Sequence, residues 1–209
     1  MLFALIIVYV VTLVYFSITE RFRHYASLVA LQGWVLAGIA LLRLHAVDVG
    51  ELIFVLLETV VFKALIVPYI LFGIIRRTGI NRVHPSAVTG FNALLLFLGG
   101  LIASVGVTYF LADTTVNLAF FAVALYGVIC GLLLIVTHKR IFSHLVGFLV
   151  IENGVFLFSM AVGVEMPFLI NAAVLLDILI SILMLGLFVT KIGERFRSLS
   201  TDELTSLKD

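Results

Sequence analysis

Apolar runs of about 20 residues, separated by short polar connections, recur along the whole chain. Seven such runs are present, at about 2–19, 25–47, 51–75, 88–111, 116–137, 142–163 and 168–191. A hydrocarbon core of about 30 Å needs roughly 20 apolar residues in helical form, so each run is long enough to cross a membrane. The pattern predicts an all-α, polytopic membrane protein with seven transmembrane helices and a polar tail over 193–209.

Composition supports the membrane prediction and removes several classes of function. Hydrophobic residues make up 63% of the 209 residues and charged residues only 12%, whereas a soluble domain is about a quarter charged. The runs do not alternate apolar and polar positions, so helices are favoured over a transmembrane barrel. A net charge of +1 gives no reason to expect a nucleic-acid partner. No Cys or His cluster has metal-ligand spacing, so no metal or cofactor is expected.

The basic residues predict the orientation in the membrane. Eleven of the thirteen lysines and arginines lie in the connections after runs one, three and five or in the tail. The opposite connections contain Arg43 alone, beside several acids. Because cytoplasmic loops are enriched in Lys and Arg, the N-terminus is expected outside and the C-terminus in the cytoplasm.

Four ionisable residues lie deep inside the predicted spans: Glu58, Lys63, Glu152 and Asp177. A charged group there costs at least about 2.5–3.5 kcal/mol on insertion scales, and such residues usually mark ion paths or proton relays. A structural alternative stays open, in which Lys63 only neutralises one of the acids. Glu58 and Lys63 are five residues apart, about 140° around an α-helix, which disfavours a pair within that helix.

Glu152 and Asp177 lie on consecutive antiparallel helices, where two ionised carboxylates would repel each other. Two acids and one lysine do not form a neutral set, so at least one acid is expected to hold a proton, as in a relay. Pro68 leaves the carbonyl of Ala64 without a helical donor, which predicts a kink or a water site beside Lys63. His138 and His144 flank the cytoplasmic entrance between helices five and six, either collecting protons or lying at headgroup level.

Small residues four apart predict close helix packing. Such pairs are Gly127 with Gly131, Gly99 with Ala103, and Gly100 with Ser104. Without a hydrophobic force between helices in lipid, small residues allow the backbones to approach.

The stretch GFLVIENGVFLFSM, with a carboxylate in the following helix, resembles the K subunit of bacterial complex I and the C subunit of multisubunit sodium/proton antiporters. That similarity begins at about residue 116. A longer resemblance, over nearly the whole chain, is to hydrogenase-4 component E of group 4 energy-converting hydrogenases and formate hydrogenlyase-like complexes. The residues and segments that carry it are Lys63, Leu65, Val67, Pro68, Glu152, Asn153, Gly154, Asp177 and the tail LTSLKD.

The resemblance implies a non-catalytic subunit of an oxidoreductase complex in a bacterial or archaeal cytoplasmic membrane. Its partners would be the antiporter-like and small hydrophobic subunits of the membrane arm. Residues 1–115 would form an N-terminal four-helix segment and 116–192 a segment similar to the K subunit. Glu152 matches the first K-subunit glutamate, whereas Asp177 stands where the K subunit has glutamate. The buried carboxylates would then serve proton or Na⁺ translocation.

Two other functions stay open on the residues alone. A self-contained secondary transporter would use Lys63 and the acids to line a substrate site, although no internal repeat is evident. A purely structural anchor would use them only as interhelical pairs.

Overall fold

The computed structural model describes residues 1–43, 53, 55–78, 90–111, 116–138 and 141–162, together with four single residues near the C-terminus. These ranges contain helices and no strand, as the apolar pattern predicts. The helices are α1 (Leu2–Ile18), α2 (Phe22–Arg43), α3 (Glu58–Ile66 continuing into Val67–Thr78), α4 (Gly90–Phe110), α5 (Leu118–Thr137) and α6 (Ile141–Val162).

Five helical stretches in the described ranges are long and apolar enough to cross a membrane. They are Phe22–Arg43, Val55–Arg76, Gly90–Phe110, Leu118–Thr137 and Phe142–Val162. α1 is equally apolar but has only 17 residues. These helices are consistent with a multi-pass membrane protein. The predicted seventh run lies outside the described residues except for Leu176, Ile180, Leu183 and Lys191, which are helical.

α5 and α6 form the tightest pair, and glycines set their separation. A Cβ added at Gly127 would lie 3.2 Å from the Cα of Gly154, and one added at Gly131 would overlap the carbonyl oxygen of Gly147. Any larger residue would push the two backbones apart. The prediction of close approach at Gly127 and Gly131 is therefore confirmed.

The glycines of α4 behave differently from one another. A Cβ at Gly100 would lie 2.8 Å from the Ile129 side chain, so this position packs against α5. A Cβ at Gly99 would meet nothing within 4 Å in the described part of the chain. No described helix packs closely at Gly99, so the predicted close contact there stays a prediction.

α2 lies at the centre of the bundle and packs against α1, α3 and α6. At its first turn, Phe22 contacts Phe142 of α6, with ring centroids 4.6 Å apart. At its last turn, the Arg43 guanidinium lies over the Phe120 ring of α5, 5.0 Å from the centroid. The α1–α2 and α5–α6 connections thus share one end of the bundle, here called the His138 end, and Arg43 marks the opposite end.

α3 is not a uniform α-helix. Residues Glu58–Ile66 form a π-helix, and the N–H of Val67 donates to the carbonyl of Phe62, five residues earlier. Pro68 has no N–H to give the Ala64 carbonyl, and the wider turns end just before it. The structure shows a change of helix type beside Lys63, and the kink or water site predicted there stays a prediction. The expected 140° between Glu58 and Lys63 is wrong, because i to i+5 bonding places residues five apart about one turn apart.

Candidate buried polar site

Lys63 lies in the π-helical part of α3 and is only 6% exposed. Its Nζ atom lies 5.0 Å from the centroid of the Phe156 ring on α6. An ammonium group over an aromatic face is attracted by the ring's quadrupole, and more strongly so when water is excluded. The lysine therefore points into the bundle, toward α6.

The backbone beside Lys63 is held against α2 by a glycine. A Cβ added at Gly33 would lie 2.8 Å from both Cα and N of Ala64 and 2.9 Å from the carbonyl carbon of Lys63. Real Cβ atoms do not approach backbone atoms so closely. Only glycine at this position lets α2 contact α3 at the residue that carries the lysine.

A chain of hydrogen bonds joins α1, α2 and α6 through buried side chains. The Asn153 amide donates to Oε1 of Gln32 over 3.1 Å, and the Gln32 amide donates to Oγ1 of Thr12 over 3.0 Å. The Thr12 hydroxyl in turn donates to the carbonyl of Tyr9 over 2.6 Å. All three side chains are buried. Buried polar groups need such partners, and a satisfied network specifies how its helices pack.

Glu152 precedes Asn153 and is also 6% exposed. It lies four residues before Phe156, so the two occupy the same face of α6. Lys63 contacts the Phe156 ring, which places the lysine against the face of α6 that carries Glu152. We call Thr12, Gln32, Lys63, Glu152 and Asn153 the inner cluster.

Gly154, which follows Asn153, allows the Glu-Asn-Gly segment of α6 to fit between its neighbouring helices. A Cβ at Gly154 would lie 3.0 Å from the carbonyl oxygen of Ala124 and from the N atom of Val128. Gly154 thus brings α6 onto α5, while Asn153 reaches α2. The three residues Glu-Asn-Gly supply an ionisable group, an amide bond to a second helix and close contact with a third.

The structure brings two of the four predicted intramembrane charges, Lys63 and Glu152, to one region. Glu58 begins the π-helix of α3, but its side chain is outside what the structure describes. Asp177 lies outside the described residues altogether. The predicted couple of Glu152 with Asp177 therefore stays a prediction.

Sequence reasoning missed Gln32 and Thr12. Gln32 is the central member of the hydrogen-bonded chain and is fully buried. It stands in the apolar stretch LVALQGWVLAG, where an uncharged amide is nearly as unusual as a charge. A survey of all polar side chains in the spans would have found it, whereas only ionisable residues were considered.

His138 and His144 belong to a second polar group, at the His138 end. The imidazole of His138 lies 3.2 Å from the Tyr25 hydroxyl through Nε2 and 3.1 Å from the Leu134 carbonyl through Nδ1. A carbonyl can only accept, so Nδ1 carries the proton and Nε2 accepts from Tyr25. Nε2 of His144 donates to the His138 carbonyl over 2.6 Å. The Thr137 hydroxyl lies 3.0 Å from Nδ1 of His138. We call Tyr25, Thr137, His138 and His144 the end cluster.

Burial lowers the pKa of the His138 imidazole below its ordinary value of 6.5. The hydrogen bond to the Leu134 carbonyl opposes this shift, and the neighbouring His144 adds to it. His138 is thus a neutral, hydrogen-bonded ring near pH 7. It is hydrogen-bonded within the junction between α5 and α6, and both predicted roles, proton collection and a position at headgroup level, stay predictions.

The chemistry open to these residues is proton or ion binding. The inner cluster combines a buried carboxyl group and a buried ammonium group in mid-helix with two buried amides and a buried hydroxyl. Within the described ranges, no group of three or more His, Cys, Asp or Glu side chains is placed to hold a metal ion.

Comparisons with known proteins identify a similar protein that is itself uncharacterized. The chain is 24% identical over 190 residues to the uncharacterized protein Rv0085 of Mycobacterium tuberculosis, covering 90% of this chain and 86% of that protein. No family model matches the chain, and no solved structure matches it. The similarity extends over almost the full length of both proteins.

Proposed function

We propose that this chain is an accessory membrane-arm subunit of a hydrogenase- or complex I-like respiratory assembly. In this proposal the inner cluster takes part in moving protons or Na⁺ across the membrane, and other chains carry the electrons. The observation that supports it best is the placement of Lys63 against the face of α6 that carries Glu152, with both side chains buried. Burying two ionisable groups in a span costs free energy, and residues of this kind usually mark ion paths or proton relays.

The proposal includes the complete topology: seven spans, the N-terminus outside and the C-terminus in the cytoplasm. The shared position of the α1–α2 and α5–α6 connections supports it, since both carry basic residues and both would be cytoplasmic. We expect a reporter fused after Asp209 to be active only in the cytoplasm and one inserted at Asp113 only outside. The reverse pattern would contradict the orientation.

The role of Glu152 is tested by Glu152→Gln in the assembled complex. Gln keeps the size and hydrogen bonding of the side chain but cannot exchange a proton. We expect normal electron transfer to artificial acceptors and at least about tenfold weaker ion pumping in sealed vesicles, as for a lost proton-transfer group. Glu20→Gln is the matched control, because Glu20 is exposed in the α1–α2 connection and lies outside both clusters.

A structural role has its own support and a different outcome. The bonds from Asn153 to Gln32 and from Gln32 to Thr12 connect three helices, as a purely structural anchor would require. If Glu152 serves only to hold these helices together, Glu152→Gln should reduce assembly and electron transfer together, or leave pumping unchanged. Either result would reject a role for this carboxyl group in translocation.

A further inference from the structure

The buried hydroxyl of Tyr25 lies between two acceptors. Its oxygen is 3.2 Å from Nε2 of His138 and 3.5 Å from the carbonyl oxygen of Phe16. The Tyr25 ring is buried and stacks on the Phe16 ring, with centroids 5.4 Å apart and 20° between the ring planes. Phe16 belongs to the last turn of α1, where main-chain carbonyls lack a donor within the helix. The hydroxyl proton therefore has two possible positions, toward His138 or toward α1.

Two acceptors hold a proton on Nδ1 of His138. The Leu134 carbonyl lies 3.1 Å from Nδ1, and the Thr137 hydroxyl oxygen lies 3.0 Å from it. The Thr137 hydroxyl donates its own proton to the Leu133 carbonyl over 2.5 Å, so its oxygen can only accept from Nδ1. Nδ1 therefore carries a proton in both charge states of the ring. Nε2, which accepts from Tyr25 in the neutral ring, is the atom that can bind a second proton.

We propose that Nε2 of His138 is a proton-binding site whose occupancy reverses the hydrogen bond with Tyr25. The incoming proton comes from water and forms the Nε2–H bond, and no covalent bond of the protein breaks. Nε2 then donates to the Tyr25 oxygen, so the hydroxyl turns about its C–O bond and donates to the Phe16 carbonyl. The protonated state thus has a continuous chain of bonds from Leu134 through His138 and Tyr25 to Phe16, which joins α5, α2 and α1. In the neutral state the chain ends at Tyr25.

This role differs from proton collection. A collecting group passes its proton onward, whereas here the proton stays on His138 and changes which helices are bonded to one another. The proposal goes beyond the proposed function and does not depend on it. If that function is correct, the translocating subunit also responds to acid at the His138 end.

The groups around His138 set the pH at which the proton binds. Tyr25 faces the ring from α2, and His144 of α6 donates through Nε2 to the His138 carbonyl. The contacts from α5, Leu134 and Thr137, do not titrate. Burial lowers the pKa of His138 and His144 adds to this effect, so the proton is expected to bind below about pH 6.5. Other ionisable residues nearby in the chain are Glu20, Arg21, Arg23 and His24, which are exposed, and Lys139 and Arg140, which lie outside the described residues.

The proton on Nε2 is measured directly by nuclear magnetic resonance of the full-length protein in lipid nanodiscs. Both imidazole nitrogens carry the heavy nitrogen isotope, and the His138 signals are assigned by their absence in His138→Gln. We expect Nδ1 to be protonated at pH 8 and at pH 4, whereas Nε2 changes from unprotonated to protonated between these values. A proton on Nε2 at pH 8, or an unprotonated Nε2 at pH 4, would overturn the site.

The reversal of the bond is tested by Tyr25→Phe, which keeps the stacked ring but removes the hydroxyl. Hydrogen bonds to a charged group are stronger than those between neutral groups, so the protonated state loses more. We expect the proton affinity of His138 to fall by about three- to tenfold. Tyr15→Phe is the matched control, because it makes the same change at a 46% exposed residue of α1, and it should leave the affinity unchanged. If Tyr25→Phe leaves the affinity unchanged or raises it, the bond does not reverse and the proposal is wrong.

Infrared difference spectra between pH 8 and pH 4 follow the Tyr25 hydroxyl itself. The C–O stretching band of a tyrosine depends on whether its hydroxyl only donates a hydrogen bond or also accepts one. We expect a band shift that is present in the wild-type protein and in Tyr15→Phe, and absent in Tyr25→Phe and in His138→Gln. A Tyr25 shift that persists in His138→Gln would mean that another group controls the hydroxyl, and it would reject the proposal. None of these measurements uses ion pumping or other subunits, so this proposal and the proposed function can fail separately.

Discussion

The inner cluster and the end cluster satisfy their polar groups in different ways. In the inner cluster, side chains on α1, α2 and α6 bond to one another, as from Asn153 to Gln32. In the end cluster, imidazoles bond to main-chain carbonyls, as from His138 to Leu134 and from His144 to His138. Carbonyls in a helix interior are occupied by the helix itself, whereas those of its last turn are free.

The two clusters depend on contacts between helices to different extents. The Thr12 hydroxyl bonds to a carbonyl of its own helix, but the amides of Gln32 and Asn153 have partners only on other helices among the bonds described here. In the end cluster, His138 and His144 each have a main-chain partner in their own chain segment, and His138 has the Tyr25 hydroxyl of α2 as a further partner. Substitutions that separate helices should therefore damage the inner cluster strongly and the end cluster weakly.

The largest expected effect comes from Gly33→Ala. The added Cβ would overlap backbone atoms of Ala64, which cannot move without shifting α3 and Lys63 with it. Overpacking of this kind costs about 1–3 kcal/mol. We expect a matching fall in unfolding free energy, measured by denaturant titration in mixed micelles, and loss of the Lys63 contact with α6.

Gly73→Ala is the matched control for that substitution. It makes the same chemical change in α3, where an added Cβ meets no atom of the described residues within 4 Å. It should be neutral, or stabilise by up to about 1 kcal/mol through helix propensity. Equal destabilisation by the two variants would show that the close contact of Gly33 with the Ala64 backbone does not cause the loss of stability.

An intermediate effect is expected from Gln32→Leu. Leucine removes the central member of the hydrogen-bonded chain and leaves the Asn153 amide without its partner on α2. An unsatisfied buried group costs about 1–3 kcal/mol. The double variant with Asn153→Leu should cost less than the sum of the single variants in the same denaturant titration. Strict additivity would mean that the two amides do not act together.

The smallest effect on the unfolding free energy is expected in the end cluster, when the pH is lowered and His138 takes up a proton. The pKa of folded His138 is lowered, so the unfolded chain binds this proton more readily than the folded protein does. The contribution of this group to stability is therefore full above about pH 6.5, the unfolded value, and is lost as the pH falls toward the folded pKa. We expect a shallow fall in unfolding free energy over that range.

The contribution of His138 to that fall is tested by His138→Asn. Asparagine can still hydrogen-bond near the Leu134 carbonyl but does not titrate. The variant should show a flatter dependence on pH than the wild-type protein between pH 7 and pH 5. If the two curves have the same slope, another group produces the effect.

The helices and their approximate bounds could be predicted because burial in hydrocarbon depends on local composition. Runs at 25–47, 88–111 and 142–163 correspond to α2, α4 and α6 within a few residues. Close packing at Gly127 and Gly131 was also predictable, since four-residue spacing puts small residues on one helix face. The buried positions of Lys63 and Glu152 follow from the cost of exposing charge to lipid.

Only the tertiary structure decided which polar groups meet. The bond between Asn153 and Gln32 joins residues 121 positions apart, and no local pattern encodes such a pairing. The π-helix of α3 was equally hidden, because its backbone contact with Gly33 depends on a neighbouring helix. By itself the sequence determined that the chain forms long apolar helices with a few ionisable groups inside them. Their partners depend on how the helices cross, which is set by packing between residues far apart in the chain.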